Sequence, residues 1–378
     1  MQIDFHHGVT YVLARLAGFS HDEAQIIAHS AQYVDDAVDD GTLFFDNEGA
    51  YEFISSAHKM LDYRNFSKLA NHHVWIPFHF LPGNDLDPKL RGKVPDFVQQ
   101  AICRPNSVTA REMVARAIFN RDHQHALYRL GITMHVYADT WAHQGFAGIV
   151  HPVNTVKEIL DHEGRRDETM HQRLEEYFEG NWWEKVLDAL KSKVVSDLSP
   201  LGHGAVLSYP DRPYLNWQYR DWQGQLIRRD NPSDFLQAAE HMHTAMVRFH
   251  RGDPNATVMP LHKQDRDKID ELLRSCRQED GNQRHRVWLE QIAAGAFSFG
   301  PQKVEYIEAG PGSWLNAAFP DMPRDRESLS GWLEERRTEI PFTKEFMDSH
   351  WKLFHDAVLC HRIEILHHIL PQQGLLAA

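Results

Sequence analysis

Between Gly131 and Gly148 the chain reads GITMHVYADTWAHQGFAG, and the rest of the molecule has to accommodate what this stretch carries. His135, Asp139 and His143 follow one another at steps of four residues. On an α-helix each such step turns about 40° around the axis, so the three side chains fall within an arc of roughly 80°. Val136, Tyr137, Trp141 and Phe146 make the surrounding positions apolar. A polar stripe on an otherwise apolar helix is expected to point inward, where charge must be paired or metal-bound. Two imidazoles flanking a carboxylate offer a nitrogen–oxygen–nitrogen ligand set to one or two ions.

The composition agrees with that expectation at one point. The 378 residues include 26 histidines, dispersed along the chain and not gathered in a tract. Histidine is the commonest metal ligand. The formal net charge of −13 argues against a nucleic-acid-binding surface, whose affinity would rest on Lys and Arg. Cys103, Cys276 and Cys360 are far apart and form no CxxC pair. They suit a reducing compartment and exclude a thiolate zinc site. The start, MQIDFHHGVTYVLARLAGF, lacks the basic region of a signal peptide, and no stretch is apolar enough for a transmembrane segment. A cytoplasmic protein is therefore expected.

Helical periodicity dominates the chain. His7 to Gly18 reads as a helix, and Ser20 with Glu23 forms a capping box that opens a second helix running to about Val38. Gly49 to Tyr63 reads as a short helix carrying His58, and Val74 to Gly83 (VWIPFHFLPG) as a buried loop or extended segment centred on His79. Ser107 to His125 is a further helix. His151 to Leu198 is helical but more charged, and Ser199 to Arg229 is irregular and aromatic, the pattern of a lid or binding surface. Asn231 begins a helix to about Arg248, and Arg251 to Pro260 is the best linker. Helices follow near Asp265 to Arg277, Arg284 to Ala296 and Pro341 to Ile369. On the last, His350, His361 and His368 read as surface or interface residues. Strand signals are weak, so the expected fold is an all-α multi-helix bundle with long irregular loops. It divides into a metal-binding helical domain over 1–250 and a C-terminal helical extension over 251–378, or forms one continuous domain.

The H-x3-D spacing with a further histidine close behind resembles the zinc-dependent phospholipase C and S1/P1 nuclease superfamily, over roughly residues 1 to 150. The resemblance implies an all-α fold holding zinc ions with His and Asp ligands from several helices. His6 or His7 would take the place of the superfamily's early histidine. Asp35 or Asp36 in QYVDD would take that of the aspartate ending the next helix, followed by His58, His135, Asp139 and His143. Asp4 would substitute for the superfamily's amino-terminal ligand, and His203 in LGHGAV for its later histidine.

The function this implies is metal-dependent hydrolysis of a phosphoester, either a small molecule or a lipid-like substrate. His6, His58, His135, His143 and Asp139 would hold the metals, and Asp36 would ligate or take a proton from water. His79 is read either as a further ligand or as a structural histidine bonded to backbone. Zinc fits the ligand set, with iron or manganese as alternatives. The aromatic loop near Trp217 would shape the cleft. Two other readings compete: a helical His/Asp phosphohydrolase or di-iron oxygenase, and a non-catalytic metal-binding helical scaffold.

Overall fold

Ser20 places the first long helix, α2 (His21–Asp36). Its hydroxyl accepts the Glu23 N–H at 3.3 Å while the Glu23 carboxylate accepts the Ser20 N–H at 2.8 Å. The arrangement is worth about 1 kcal/mol. A computed structural model of the chain describes residues 1–58, 68–166, 206, 208–320 and 340–377. In it α2 lies along α6 (Ala126–Ala142), the helix that bears the His-Asp-His stripe. The two approach closely because α6 carries Gly131 at the crossing. A Cβ there would lie 2.3 Å from the Ile27 carbonyl oxygen, so a larger residue would hold the helices apart.

The other elements surround this pair. The chain opens with a π-helical segment, Asp4–Val9, that runs on into α1 (Thr10–Leu16). Helix α3 (Lys68–Phe78) contains Pro77 and ends just before His79. Helices α4 (Asp96–Ala101) and α5 (Val108–Phe119) follow, the latter capped by the Ser107 hydroxyl. Helix α7 (Asn231–Arg251) crosses α1 and α6 and stops at Gly252, whose φ of 71° is the left-handed conformation that favours glycine. Helices α8 (Lys263–Ser275) and α9 (Gly281–Ala293) come next, and α9 packs on the Asp4–Val9 segment. Helix α10 (Trp314–Ala318), α11 (Lys344–Met347) and α12 (His350–Ile363) follow, α12 lying against α6 and α3 and running on through a π-helical segment, Glu364–Ile369, into a short helix, Leu370–Gln372. Phe5, Val9 and Tyr11 share one buried apolar cluster with Trp288, Phe297 and Ile365, so residues on both sides of Arg251–Pro260 build the same core.

The all-α expectation is corrected by two small antiparallel sheets. About 53% of the described residues are helical, and five strands lie among them. Strands β1 (Gly41–Phe44) and β2 (Ala50–Phe53) pair with Gly41 opposite Phe53 and Phe44 opposite Ala50. Strands β3 (Glu158–Leu160), β4 (Asn216–Arg220) and β5 (Leu226–Asp230) form the second sheet in that order. Its inner face, Ile159, Trp217 and Tyr219, packs on Phe80 and Phe146 beside the end of α6.

Each correction has a local cause. Ala50–Phe53, expected to be helical, is a strand because Asn47 and Gly49 close a hairpin turn: the Asn47 side chain accepts the Gly49 N–H at 2.9 Å. The expected loop before His79 is helical through Phe78, since Pro77 sits close enough to the helix end to be tolerated. The irregular Ser199–Arg229 region contains β4 and β5, joined at a turn where Asp221 accepts two N–H groups and Gly224 has φ 83°. His361 of α12 is buried against α3, stacked on Phe78, and its Nε2 donates to the Pro77 carbonyl at 3.1 Å. It is not a surface residue. Residues 167–198, expected to be helical, lie outside the described residues. No helix among the described residues is long and apolar enough to cross a membrane.

Candidate metal centre

The α6 stripe faces inward. His135 and Asp139 are fully buried, and His143, the residue that caps the helix, is nearly so. Three backbone carbonyls hold three imidazoles. His135 Nδ1 lies 2.7 Å from the Ala31 carbonyl oxygen of α2. His79 Nε2 lies 2.9 Å from the Ser56 carbonyl oxygen, and His143 Nδ1 lies 2.7 Å from the carbonyl oxygen of His79. A carbonyl can only accept, so each of these ring nitrogens carries the proton. In the neutral ring the other nitrogen is then a bare acceptor.

Those bare nitrogens meet carboxylates. His135 Nε2 lies 3.3 Å from Asp139 Oδ2, 3.3 Å from His79 Nδ1 and 3.8 Å from Asp35 Oδ1. His79 Nδ1 lies 3.6 Å from Asp139 Oδ2 and 3.8 Å from Asp35 Oδ1. His143 Nε2 lies 3.3 Å from Asp211 Oδ1. His6 enters from the N-terminal segment and stacks on His135 with ring centroids 3.8 Å apart. Its Nε2 lies 3.2 Å from Asp139 Oδ1, and among the described residues no backbone carbonyl accepts from either of its buried ring nitrogens. The result is a set of acceptors turned towards one another.

The ionisation of the centre follows. Burial, the neighbouring His135 and the amino terminus hold the His6 pKa well below its usual value. Burial lowers His135 to about 4 against the pull of Asp139, so both rings are neutral near pH 7. Burial would raise the Asp139 carboxyl, but His143, the amino terminus, His135 and His6 hold it well below the usual range. Asp35 is pushed well above its usual value by burial and by Asp139. The Met1 amino group brings a cation: it lies 2.5 Å from Asp139 Oδ1 and 3.3 Å from Asp211 Oδ1. Burial would lower its pKa, yet Asp139, Asp211 and Asp35 raise it to about 11. Positive charge is strongly favoured here.

Among the residues predicted from sequence, the fold gathers His6, Asp35, His79, His135, Asp139 and His143. Ligand atoms of His6, His135 and Asp139 lie within 4.8 Å of one another, and so do those of Asp35, His79 and His135. Asp36, next to Asp35, turns the other way. It accepts hydrogen bonds from the Tyr306 hydroxyl and from Gln32, and burial raises its pKa to about 6. His58 packs edge-on against Trp75, which in turn abuts His79. Asp4 is paired with Arg284, and His7 with His285 at 2.9 Å. His203 lies outside the described residues.

Two participants were not anticipated, Asp211 and the Met1 amino group. Asp211 ends a short 3-10 turn, Tyr209–Asp211, pinned by the Asn231 side chain, which donates to Tyr209 O at 2.7 Å and Arg212 O at 2.8 Å. Its only signal in the sequence is an aspartate between two prolines, Y-P-D-R-P. Two concavities among the described residues lie elsewhere, one against His29 and Trp314, the other against His243 and His262.

Residues 1–369 match the family described as "Family of unknown function (DUF6765)". The chain belongs to that family. Nearly the whole chain is matched, so helices α1 to α12, both sheets and all the gathered His and Asp residues fall within the family's span. No curated protein and no solved structure matches the chain.

Proposed function

We propose that this centre binds metal and that the chain is a metal-dependent hydrolase acting on a phosphoester, small or lipid-like. One observation carries the reading. Three imidazoles, each fixed by a backbone carbonyl, present their acceptor nitrogens to buried carboxylates and to one another. Buried acceptors facing acceptors are costly unless a cation lies between them. A mixed imidazole and carboxylate set suits zinc, with iron or manganese as alternatives. His6 and Asp139 on one side and Asp35 and His79 on the other form two ligand groups that share the one bare nitrogen of His135, so a single ion at that nitrogen would draw its remaining ligands from both. Ions of this class polarise a phosphoryl oxygen and bring the pKa of water towards neutrality. Asp35 is the group best placed to face substrate, because its side chain keeps 32% of its exposure while Asp139 keeps 1%. The resemblance to the phospholipase C superfamily supports this reaction class, and three unpaired cysteines accord with a cytoplasmic setting.

The same burial favours a second reading, a non-catalytic metal-binding scaffold, since only Asp35 in the two ligand groups is part-exposed. Elemental analysis of the purified protein, beside His135→Ala and Asp139→Ala, tests the centre. Stoichiometric zinc, iron or manganese is expected in the wild type and is lost in both variants; a wild type free of these metals overturns the proposal. A chromogenic phosphodiester, assayed with the metal-loaded protein, then separates hydrolase from scaffold.

A further inference from the structure

Arg284 on α9 is fully buried, and each of its five N–H groups has a partner. Nε donates to Asp4 Oδ2 at 2.6 Å, and Nη2 donates to Asp4 Oδ1 at 3.2 Å and to Gln2 Oε1 at 2.5 Å. Nη1 donates to the carbonyls of Gln278 at 2.6 Å and Glu279 at 2.9 Å. The fork thus ties the loop before α9 to the first turn of the chain. One helical turn further on, Trp288 closes over Gly8, where a Cβ would sit 3.0 Å from the Trp288 Cβ. At the start of α9 a Cβ on Gly281 would lie 2.8 Å from Gln2 Oε1. Helix α9 therefore fits the N-terminal segment closely from Gln2 to Gly8.

That segment has two sides. Asp4 and Gln2 face Arg284, while His6 stacks on His135 and reaches Asp139. Among the described residues no backbone carbonyl orients the His6 ring. His135, His79 and His143 each have a backbone carbonyl for that purpose. We infer that Arg284 is the positioning residue for the His6 half of the centre: by fixing Asp4 and Gln2 it holds His6 at Asp139. This rests on the metal-binding reading above. It also gives Asp4 a different task from ligation. Asp35, His79 and His135 lie outside the N-terminal segment, so an ion that lost His6 would keep these ligands. Lysine cannot replace the arginine, because an ammonium offers three donors from one point and no bidentate geometry.

The test is metal stoichiometry and affinity in the full chain, reconstituted with zinc or with cobalt(II) as a spectroscopic probe. Arg284→Lys and the isosteric Asp4→Asn are each expected to keep one ion per chain and to bind it at least about tenfold more weakly, as when a partner that orients a ligand is removed. The double variant should lose no more than either single one, because both break the same link. Ile269→Ala, a core truncation on α8 outside the fork, should bind with wild-type affinity. Wild-type affinity in Arg284→Lys and Asp4→Asn overturns the inference. Loss of the ion outright in these variants, or a comparable weakening in Ile269→Ala, overturns it too, since that marks general loosening. A wild type that takes up neither metal overturns the metal reading itself.

Discussion

His79 holds His143 through its backbone and faces Asp139 through its ring. Its carbonyl oxygen accepts the Nδ1–H of His143 at 2.7 Å, while its own Nδ1 lies 3.6 Å from Asp139 Oδ2. One residue therefore orients a neighbour and contributes a donor atom, which is possible because α3 ends at Phe78 and leaves the His79 carbonyl outside the helix ladder.

A mixed set of tautomers follows. His135 and His143 should carry their proton on Nδ1, and His79 on Nε2. Long-range proton–nitrogen correlation spectra of ¹⁵N-histidine-labelled protein at pH 7 check this directly. A proton on His79 Nδ1 would show that the Ser56 carbonyl does not set the ring.

Gly131→Ala should be costly despite lying in a helix, where alanine is usually the better residue. The new methyl would meet the Ile27 carbonyl at 2.3 Å, and backbone cannot move aside as a flexible side chain can. A loss of at least about 2 kcal/mol in urea unfolding is expected, in the upper part of the range for overpacked sites. The substitution should also lengthen the His135–Ala31 bond; a variant as stable as the wild type would mean that the helices are not held by this crossing.

The core of the centre was legible in the sequence because α6 is regular. Steps of four residues placed His135, Asp139 and His143 on one face without knowledge of the fold, and the Ser20–Glu23 box located α2 and hence Asp35. What could not be read was set by contacts distant in the chain. Asp36 looks equivalent to Asp35 until Tyr306 claims it, and Asp4 looks like a ligand until Arg284 does. The strands are a different matter. D-N-E-G and D-W-Q-G are hairpin turns with aspartate or asparagine and glycine at the bend, but the flanking strands are four or five residues long. Such short runs are easily overlooked in a chain dominated by helical periodicity.

Arg229→Met tests how the end of α6 is held. Arg229 Nη2 donates to the carbonyls of Trp141 at 2.9 Å and Ala142 at 3.1 Å, the last two residues of the helix, and Nε pairs with Asp234. Methionine fills similar volume but takes the charged donor from both carbonyls, leaving Trp141 O with the Gln144 amide at 2.8 Å. Hydrogen bonds from a charged group are worth roughly 1.5–3 kcal/mol, so a loss of about 2–4 kcal/mol is expected by denaturant unfolding. A change under about 0.5 kcal/mol would assign the capping elsewhere.

Acid should destabilise the fold well above the usual carboxylate range. Burial lowers His29, His355 and His361 to about 3, in His29 aided by His350 and in His361 by Arg129. Below pH 6.5 the unfolded chain protonates these rings and the folded chain does not, so stability is full above that pH. It falls as pH drops from 6.5 towards 3, by up to about tenfold in the folding equilibrium per group per pH unit. Urea midpoints at pH 7.5, 6 and 5, measured with chelator present to remove any contribution from bound metal, should decline steadily. His361→Asn, which keeps a donor for Pro77, should flatten part of that slope.

The carbonyl anchors also tie distant parts of the chain at one point. They join residues 104, 64 and 23 positions apart in sequence. An ion seated there would close several long loops at once, as a cross-link does, and could depart only when α2, α6 and the corner at His79 separate. Its exchange with solvent would then be paced by the opening of the protein's interior, and the dissociation rate of a bound metal would serve as a clock for that opening.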